Sequence, residues 1–354
     1  MFSQSLQSLL DSCKTGFELT HYQLEPYKIK LTQPWKTASH SIHYRQGLIL
    51  KLSTAQGPVA YGDCAPLATM GTESISEAQL QLTKTLDTLK DIPIDKSWLD
   101  KLAHYPASHF ALETAILSLI SQHRKQNLAQ LLNSDASRNI LVNAMLGDIN
   151  KQNSKNITHI EKQGFQCLKF KLGIQPLEKE VLQLKILLTR LKPETRIRLD
   201  CNKSWTLSQS QWFLNFINSE LKPYIQQIDS IEEPLREFNI LNYRLLQEQT
   251  SISLALDESL SKFTDLKQLP VRRIVLKPTI RGGIIKSWQI AQIAQSHGIE
   301  VVITSAIETA YGLWPISYLA AALNNGQHHG LATAHWLEDT LIKAPEIKHG
   351  RITF

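Results

Sequence analysis

Little in this sequence points to a covalent staple, a membrane or a nucleic acid. The four cysteines, Cys13, Cys64, Cys167 and Cys201, are scattered with no Cys-x-x-Cys pair. They read as small buried residues rather than a disulfide framework or a zinc site. No apolar run is long enough to span a bilayer, so no membrane span is expected. The opening MFSQSLQSLLDSCK lacks a basic stretch followed by an apolar one, which argues against a secretory signal and makes the cytoplasm the expected location. Dense basic runs are missing as well: the net charge of +6 is spread out, with only short pieces such as Arg272-Arg273. No nucleic-acid partner is expected, and a mildly basic surface equally suits a small anionic substrate. Low-complexity segments, linkers and residue-level repeats are absent too.

What is present is an ordinary globular composition, 42% hydrophobic and 20% charged over 354 residues, enough for two domains or one barrel with additions. Two strands, YQLEPYKIKL and GLILKLS, flank the polar stretch QPWKTASHSIHYRQ, and a short third follows near Val59, which predicts an antiparallel meander. Ser74-x-x-Glu77 reads as a capping box that opens a helix to about Leu89, and HFALETAILSLISQHR predicts a second helix. This α+β domain is expected over residues 1–137.

After Asn139, short apolar runs alternate with amphipathic ones: ILVNAML, FQCLKFKL, TRIRLD, IQQIDSIEE, ISLALD, RRIVLK and EVVITS. So many alternations predict an α/β parallel barrel over residues 138–335. The ending, 336–354, is expected to return as strand and turn onto the N-terminal sheet.

Barrel enzymes place reactive groups at the carboxyl ends of strands. Lys169-x-Lys171, Asp200-x-Asn202, Glu232-Glu233, Asp257-Glu258 and Lys277-Pro278 each close one strand candidate, 20–32 residues apart. Any one acid alone reads as a helix cap or an ion-pair partner. Asp200, Glu232 and Asp257 at successive strand ends read instead as a set facing one centre, where a hard divalent cation such as Mg²⁺ would relieve their repulsion. Lys169 and Lys171 lie two apart and should share a face of the strand, where mutual repulsion is expected to lower their pKa values and leave one amine free to act as a base. Lys277 comes from the far side of the barrel.

Together LKFKLG, RLDCNKSW, IEEP, LALDES and VLKPTIRGG resemble the motif series of the enolase superfamily, and RLDCNKSW with TSAIETAYG is most similar to its o-succinylbenzoate synthase family. Members of that superfamily use a lysine or histidine base with one or two Mg²⁺ ions. The departures are Cys201 for a frequent Ala, Lys203 for a common Arg, and SAIET for a Ser-rich segment. The resemblance implies a (β/α)₇β TIM-type barrel under a capping domain, with Asp200, Glu232 and Asp257 as ligands of Mg²⁺ (Mn²⁺ as substitute). It also implies Lys171 as acid and base on one face and Lys277 as a cation on the other. Lys169, Arg198, Asn202, Glu233, Gly282, Ser305 and Glu308 are the expected supporting or substrate-binding residues. Segments 33–46, which holds His40 and His43, and 65–73 resemble lid loops that choose the substrate.

The implied reaction is dehydration of a succinyl-hydroxy-cyclohexadiene carboxylate on the way to menaquinone or phylloquinone. Dipeptide epimerases and N-acylamino acid racemases share the scaffold and are the rival reading; a non-catalytic binding barrel is a remote one, since every ligand and lysine is present. No acidic Asp-x-Asp lies near the last strand to take a dipeptide's ammonium, and Glu338-Asp339 is the nearest acidic pair. The oligomeric state is left open.

Overall fold

The computed structural model describes residues 6–11, 17–36, 41–89, 92–263 and 265–354. Cys13 and His40, both singled out above, lie outside the described residues.

The N-terminal domain is the expected meander, with longer strands. β1 (Leu19–Lys36), β2 (Ser41–Thr54) and β3 (Val59–Cys64) form one antiparallel sheet. Within the polar stretch 33–46, the described residues 33–36 and 41–46 are strand, which corrects the expectation of a loop at those positions. Trp35 pairs with Ile42 and Lys30 with Tyr44, and aromatic and β-branched residues of this kind carry a ladder well beyond an apolar core. His43 lies exposed on β2. α1 (Ile75–Leu89) opens with the expected capping box: the Glu77 N–H donates to Ser74 Oγ, and the Ser74 N–H donates to Glu77 Oε2 at 2.8 Å. α2 (Pro106–Arg124) packs on β3 so closely that a Cβ at Gly62 would collide with the Ala111 carbonyl. Twelve of its residues are buried, so it is apolar nearly all round.

The barrel begins with β4 (Asn139–Val142) and β5 (Ala144–Asp148), into which the run ILVNAML divides. It continues through α3 (Ser154–Lys162), β6 (Cys167–Lys171), α4 (Leu177–Leu188), β7 (Arg196–Asp200), α5 (Leu207–Glu220), β8 (Ile228–Glu232), α6 (Ile240–Glu248) and β9 (Ser253–Leu256). The crossover to β10 (Arg273–Leu276) is built from the 3₁₀ turns Glu258–Lys262 and Leu266–Gln268, with no α-helix among the described residues. α7 (Ile284–Ser296), β11 (Glu300–Ile303), α8 (Ala310–Leu323) and β12 (His328–His329) complete it.

β5 to β11 form a single parallel sheet in sequence order. β12 lies in a separate sheet, where His329 pairs with Val142 of β4, and Gly330 just after it bridges to Thr304 just past the edge strand β11. Side chains alternate along each strand. In β6, Leu168 and Phe170 are fully buried in the main apolar core, whereas Lys169 and Lys171 face the barrel lumen. Truncating a packed aromatic such as Phe170 would cost about 3–5 kcal/mol.

At the C-terminus, β13 (Ile347–Lys348) pairs with β14 (Arg351–Thr353), and β14 pairs antiparallel with β4. The expectation that this ending joins the N-terminal sheet is thus corrected, because the free edge of β4 accepts it first. The start of this ending does pack on that sheet, through a bridge from Leu337 to Leu31 of β1, a hydrogen bond donated by the Glu338 N–H to Lys30 O, and the Lys30–Glu338 ion pair. Among the described residues no helix is long and apolar enough to cross a membrane.

Candidate active site

Three strands set the centre of the site by register alone. Lys171 is the partner of Asp200 across β6 and β7, and Asp200 is the partner of Glu232 across β7 and β8. Glu232 pairs in turn with Ala255, so Asp257, two residues on, rises on the same inner face. Lys277 follows β10, the neighbour of β9, and forms an ion pair with Asp257. All five line one cavity of about 220 Å³ at the carboxyl ends of the strands.

Of the other expected residues, Lys169, Arg198, Asn202 and Ser305 also line that cavity. Asn202 donates from its N–H and its Nδ2 to Asp200 Oδ1, at 3.2 and 2.8 Å, and so holds that carboxylate. Glu233, Gly282 and Glu308 do not line it. Glu233 is fully buried behind Glu232, where it accepts hydrogen bonds from the Asp257 N–H at 2.9 Å, from Ser259 and from Tyr243. Glu308 accepts from Thr279 Oγ1 at 2.5 Å and from the Ala306 N–H, tying together the loops that follow β10 and β11. Gly282 closes a short helix, Pro278–Arg281, with φ 80, a turn that favours glycine, and makes no contact with the cavity.

The two lysines of β6 behave differently, which corrects the idea that they depress each other alike. Lys169 Nζ lies 2.8 Å from Glu232 and 2.9 Å from Asp200; burial opposes its charge, but the carboxylates outweigh burial and raise its pKa. For Lys171, burial is the largest effect and lowers the pKa; Asp200 pulls upward, and Lys169 and Lys277 push it down further. Lys277 is buried too, yet Asp257, Glu258 and Glu232 raise its pKa and keep it charged. The site thus contains one lysine whose pKa is lowered and two whose pKa values are raised.

The acids carry the counterpart of this asymmetry. Burial, reinforced by Asp200 and Asp257, raises Glu232, and burial with Asp257 raises Glu258. Both shifts mark a surplus of buried negative charge, which a small hard cation on oxygen ligands would relieve. Among the described residues no three acid, histidine or cysteine side chains are gathered into a ready cation cage, because Lys169 and Lys277 sit on the carboxylate oxygens. The donor set itself, Asp200, Glu232 and Asp257, fits Mg²⁺ chemistry.

Several lining residues escaped the sequence reading. Asn143 stands out in hindsight as a polar residue inside the apolar run ILVNAML. Its Oδ1 accepts from Arg198 Nη1 at 3.4 Å. Glu258 had its signal in the doublet beside Asp257. Trp35 and Met70 fall in the segments 33–46 and 65–73 expected to choose the substrate, whereas Met145, Val275 and Val302 had no signal, since each reads as ordinary core until the fold brings them to one wall.

A family model described as Enolase C-terminal domain-like matches residues 154–354, which include every strand end just described. The chain belongs to the enolase superfamily. A second model, the MenC N-terminal domain, matches residues 19–119 of this superfamily member. Its sequence is similar to the o-succinylbenzoate synthase of Pasteurella multocida, with 26% identity over 91% of both chains. It is also similar to that of Yersinia enterocolitica, with 28% identity over 84% of this chain and 85% of that one. In fold it matches the L-Ala-D/L-Glu epimerase from Bacillus subtilis at a TM-score of 0.84, with 18% identity over 95% and 96% of the two chains. The dipeptide epimerase from Enterococcus faecalis, solved with Mg and a dipeptide, matches at a TM-score of 0.82, with 22% identity over 96% and 97%. These two likenesses show the fold, a parallel β/α barrel beneath an antiparallel N-terminal domain.

Proposed function

We propose that this enzyme is an o-succinylbenzoate synthase. It would convert 2-succinyl-6-hydroxy-2,4-cyclohexadiene-1-carboxylate to o-succinylbenzoate by syn-dehydration, on a route to menaquinone or phylloquinone. The observation that carries the reading is the unequal pair of facing lysines, Lys171 lowered and Lys277 raised, in a cavity that also presents the acids. The match of the N-terminal domain and the full-length likeness to named synthases support it.

Asp200, Glu232 and Asp257 would hold Mg²⁺. When bound, the ion supplies fixed positive charge next to a substrate carboxylate and so acidifies its α-proton. Lys171, as the free amine, removes that proton. The resulting ammonium returns it to the departing hydroxyl, which leaves as water when the C–O bond breaks. One lysine can serve both steps because proton and hydroxyl leave from the same face. Lys277 stays an ammonium on the other face and stabilises the developing anion and the aromatising ring by charge and cation–π attraction.

An epimerase would need Lys277 as a second base, and its hold on Asp257 opposes that. Glu338, in the acidic pair nearest the last strand, is bound instead to Lys30 at 2.8 Å, away from the cavity. The deciding experiment is an assay for o-succinylbenzoate formation with and without a chelator. Turnover that is abolished by chelation and restored by Mg²⁺ is expected; no product from the purified chain would sink the reading.

A further inference from the structure

We infer that Arg45, on β2 of the capping domain, is a positioning residue that joins two walls of the substrate cavity and sets how tightly the apolar part of a substrate is held. The inference deepens the proposed function and rests on it. Arg45 is 1% exposed, and its guanidinium is held by backbone carbonyls. Nε donates to Ile307 O at 3.0 Å, Nη1 to Pro66 O at 2.8 Å and Gln46 O at 3.2 Å, and Nη2 to Ala65 O. The buried Asp63 and Glu308 lie near enough to feel its charge, but no ion pair is formed with either among the described residues, and its side-chain donors go to carbonyls; packing alone favours an aliphatic side chain here. What arginine offers is a planar fork that reaches several acceptors at once.

The two segments it grips form the two walls. Ala65 and Pro66 open the loop that carries Thr69 and Met70 to the cavity, and Ile307 lines the cavity on the barrel side. Ile307 has φ 60, a left-handed conformation that a β-branched residue rarely adopts without outside support. The support comes from the capping domain. Arg45 holds its carbonyl, and Asp63 of β3 accepts from the N–H and Oγ1 of Thr309, two residues on, both at 2.8 Å. The Ile307 side chain in turn joins Ile29, Leu31, Trp336 and Leu337 in a small second core, with Trp35 and Met145 packed against it. Trp35 and Met145 face the cavity as well. One guanidinium therefore fixes the backbone on which the apolar wall is built, at a distance from the reacting carbon.

The test compares the full chain with Arg45→Met and Arg45→Lys, the second included in case the first does not fold. Amide hydrogen exchange is followed at residues 65–70 and 305–309, and kcat and KM are measured for o-succinylbenzoate formation. Losing charge-assisted hydrogen bonds should speed exchange in both segments together, by about tenfold or more. KM should rise about tenfold while kcat stays within about threefold, since the wall meets the substrate body and not the proton in flight. Lysine, a single point charge, should satisfy fewer of the carbonyls and show the same pattern more weakly. Faster exchange spread evenly over the capping domain, exchange that rises in only one of the two segments, or a fall in kcat at constant KM would each overturn the inference. If the wild-type chain forms no o-succinylbenzoate, the proposed function fails, and the exchange experiment still decides whether Arg45 joins the walls.

Discussion

The carboxylate of Glu233 accepts a hydrogen bond of 2.9 Å from the backbone N–H of Asp257, one strand over in the barrel. It also takes the N–H and the hydroxyl of Ser259, both at 2.8 Å, and the Tyr243 hydroxyl at 3.1 Å. The doublet Glu232-Glu233 thus divides its work. The first acid faces the cavity, and the second, fully buried with φ 44, holds the backbone that carries the next acid.

Replacing that buried carboxylate therefore acts at a distance. Glu233→Gln presents an amide N–H₂ to groups that are themselves donors, which leaves at least one of them unsatisfied at about 1–3 kcal/mol. The urea midpoint should fall and Mg²⁺ should stabilise the variant less than the wild type. A variant with unchanged midpoint and unchanged response to Mg²⁺ would show that Glu233 does not hold Asp257 in place.

Asp257→Asn removes one of the proposed ligands outright. A ligand that binds only the native state raises the melting temperature in proportion to the logarithm of its concentration over Kd. Titrating Mg²⁺ in thermal melts should give a smaller rise for the variant, shifted to higher concentration. Identical titration curves and activity would mean that the ligand is another residue.

The two lysines should separate under mutation. Lys171 has both a base and an acid role, so Lys171→Ala should lose at least ~10²–10⁴-fold in turnover. Lys277→Arg keeps a positive charge in a different shape and should retain some dehydration. It should lose deuterium incorporation at the α-carbon of an N-acylamino acid, which needs a second base. Equal loss of synthase activity in both variants, with fold and bound metal intact, contradicts the division of roles.

A pH-dependent part of stability resides in the barrel floor. β8 bulges at Asp229, where the register steps from Ile228 directly to Ser230, and the displaced carboxylate accepts from Arg198 Nε at 2.7 Å and Arg273 Nη1 at 2.5 Å. Burial alone would raise its pKa, but the two guanidinium groups outweigh it and hold it below the ordinary carboxylate range. Because the folded pKa is the lower one, this stabilisation is complete above the unfolded value of about 3.9 and is lost as pH falls below it. Asp229→Asn should cost on the order of 3–5 kcal/mol at pH 7, because the buried Arg198 loses its ion-pair carboxylate and Arg273 keeps only Glu300. The gap between wild type and variant in urea melts should narrow from pH 4 to pH 2.5; a constant gap would count against this account.

By itself the sequence determined the strands of the barrel and the acids and lysines that end them. Alternation within each strand and the step between strands are local properties, and residues such as Lys171, Asp200 and Glu232 converge wherever consecutive parallel strands stay in register. The capping box at Ser74 was legible for the same reason, as it is closed by a residue three positions on. Tertiary structure alone decided the rest. Lys169 and Lys171 look alike in sequence, and only the fold decides that burial prevails at Lys171 while the carboxylates outweigh burial at Lys169. The C-terminal strand chose β4 over the capping sheet because an unpaired edge is a long-range property that no local pattern encodes. Nor does any local signal place the Arg45 fork against the carbonyls of Ala65, Pro66 and Ile307, because these acceptors lie 20 to 262 residues away along the chain and meet the fork only once both domains have folded together.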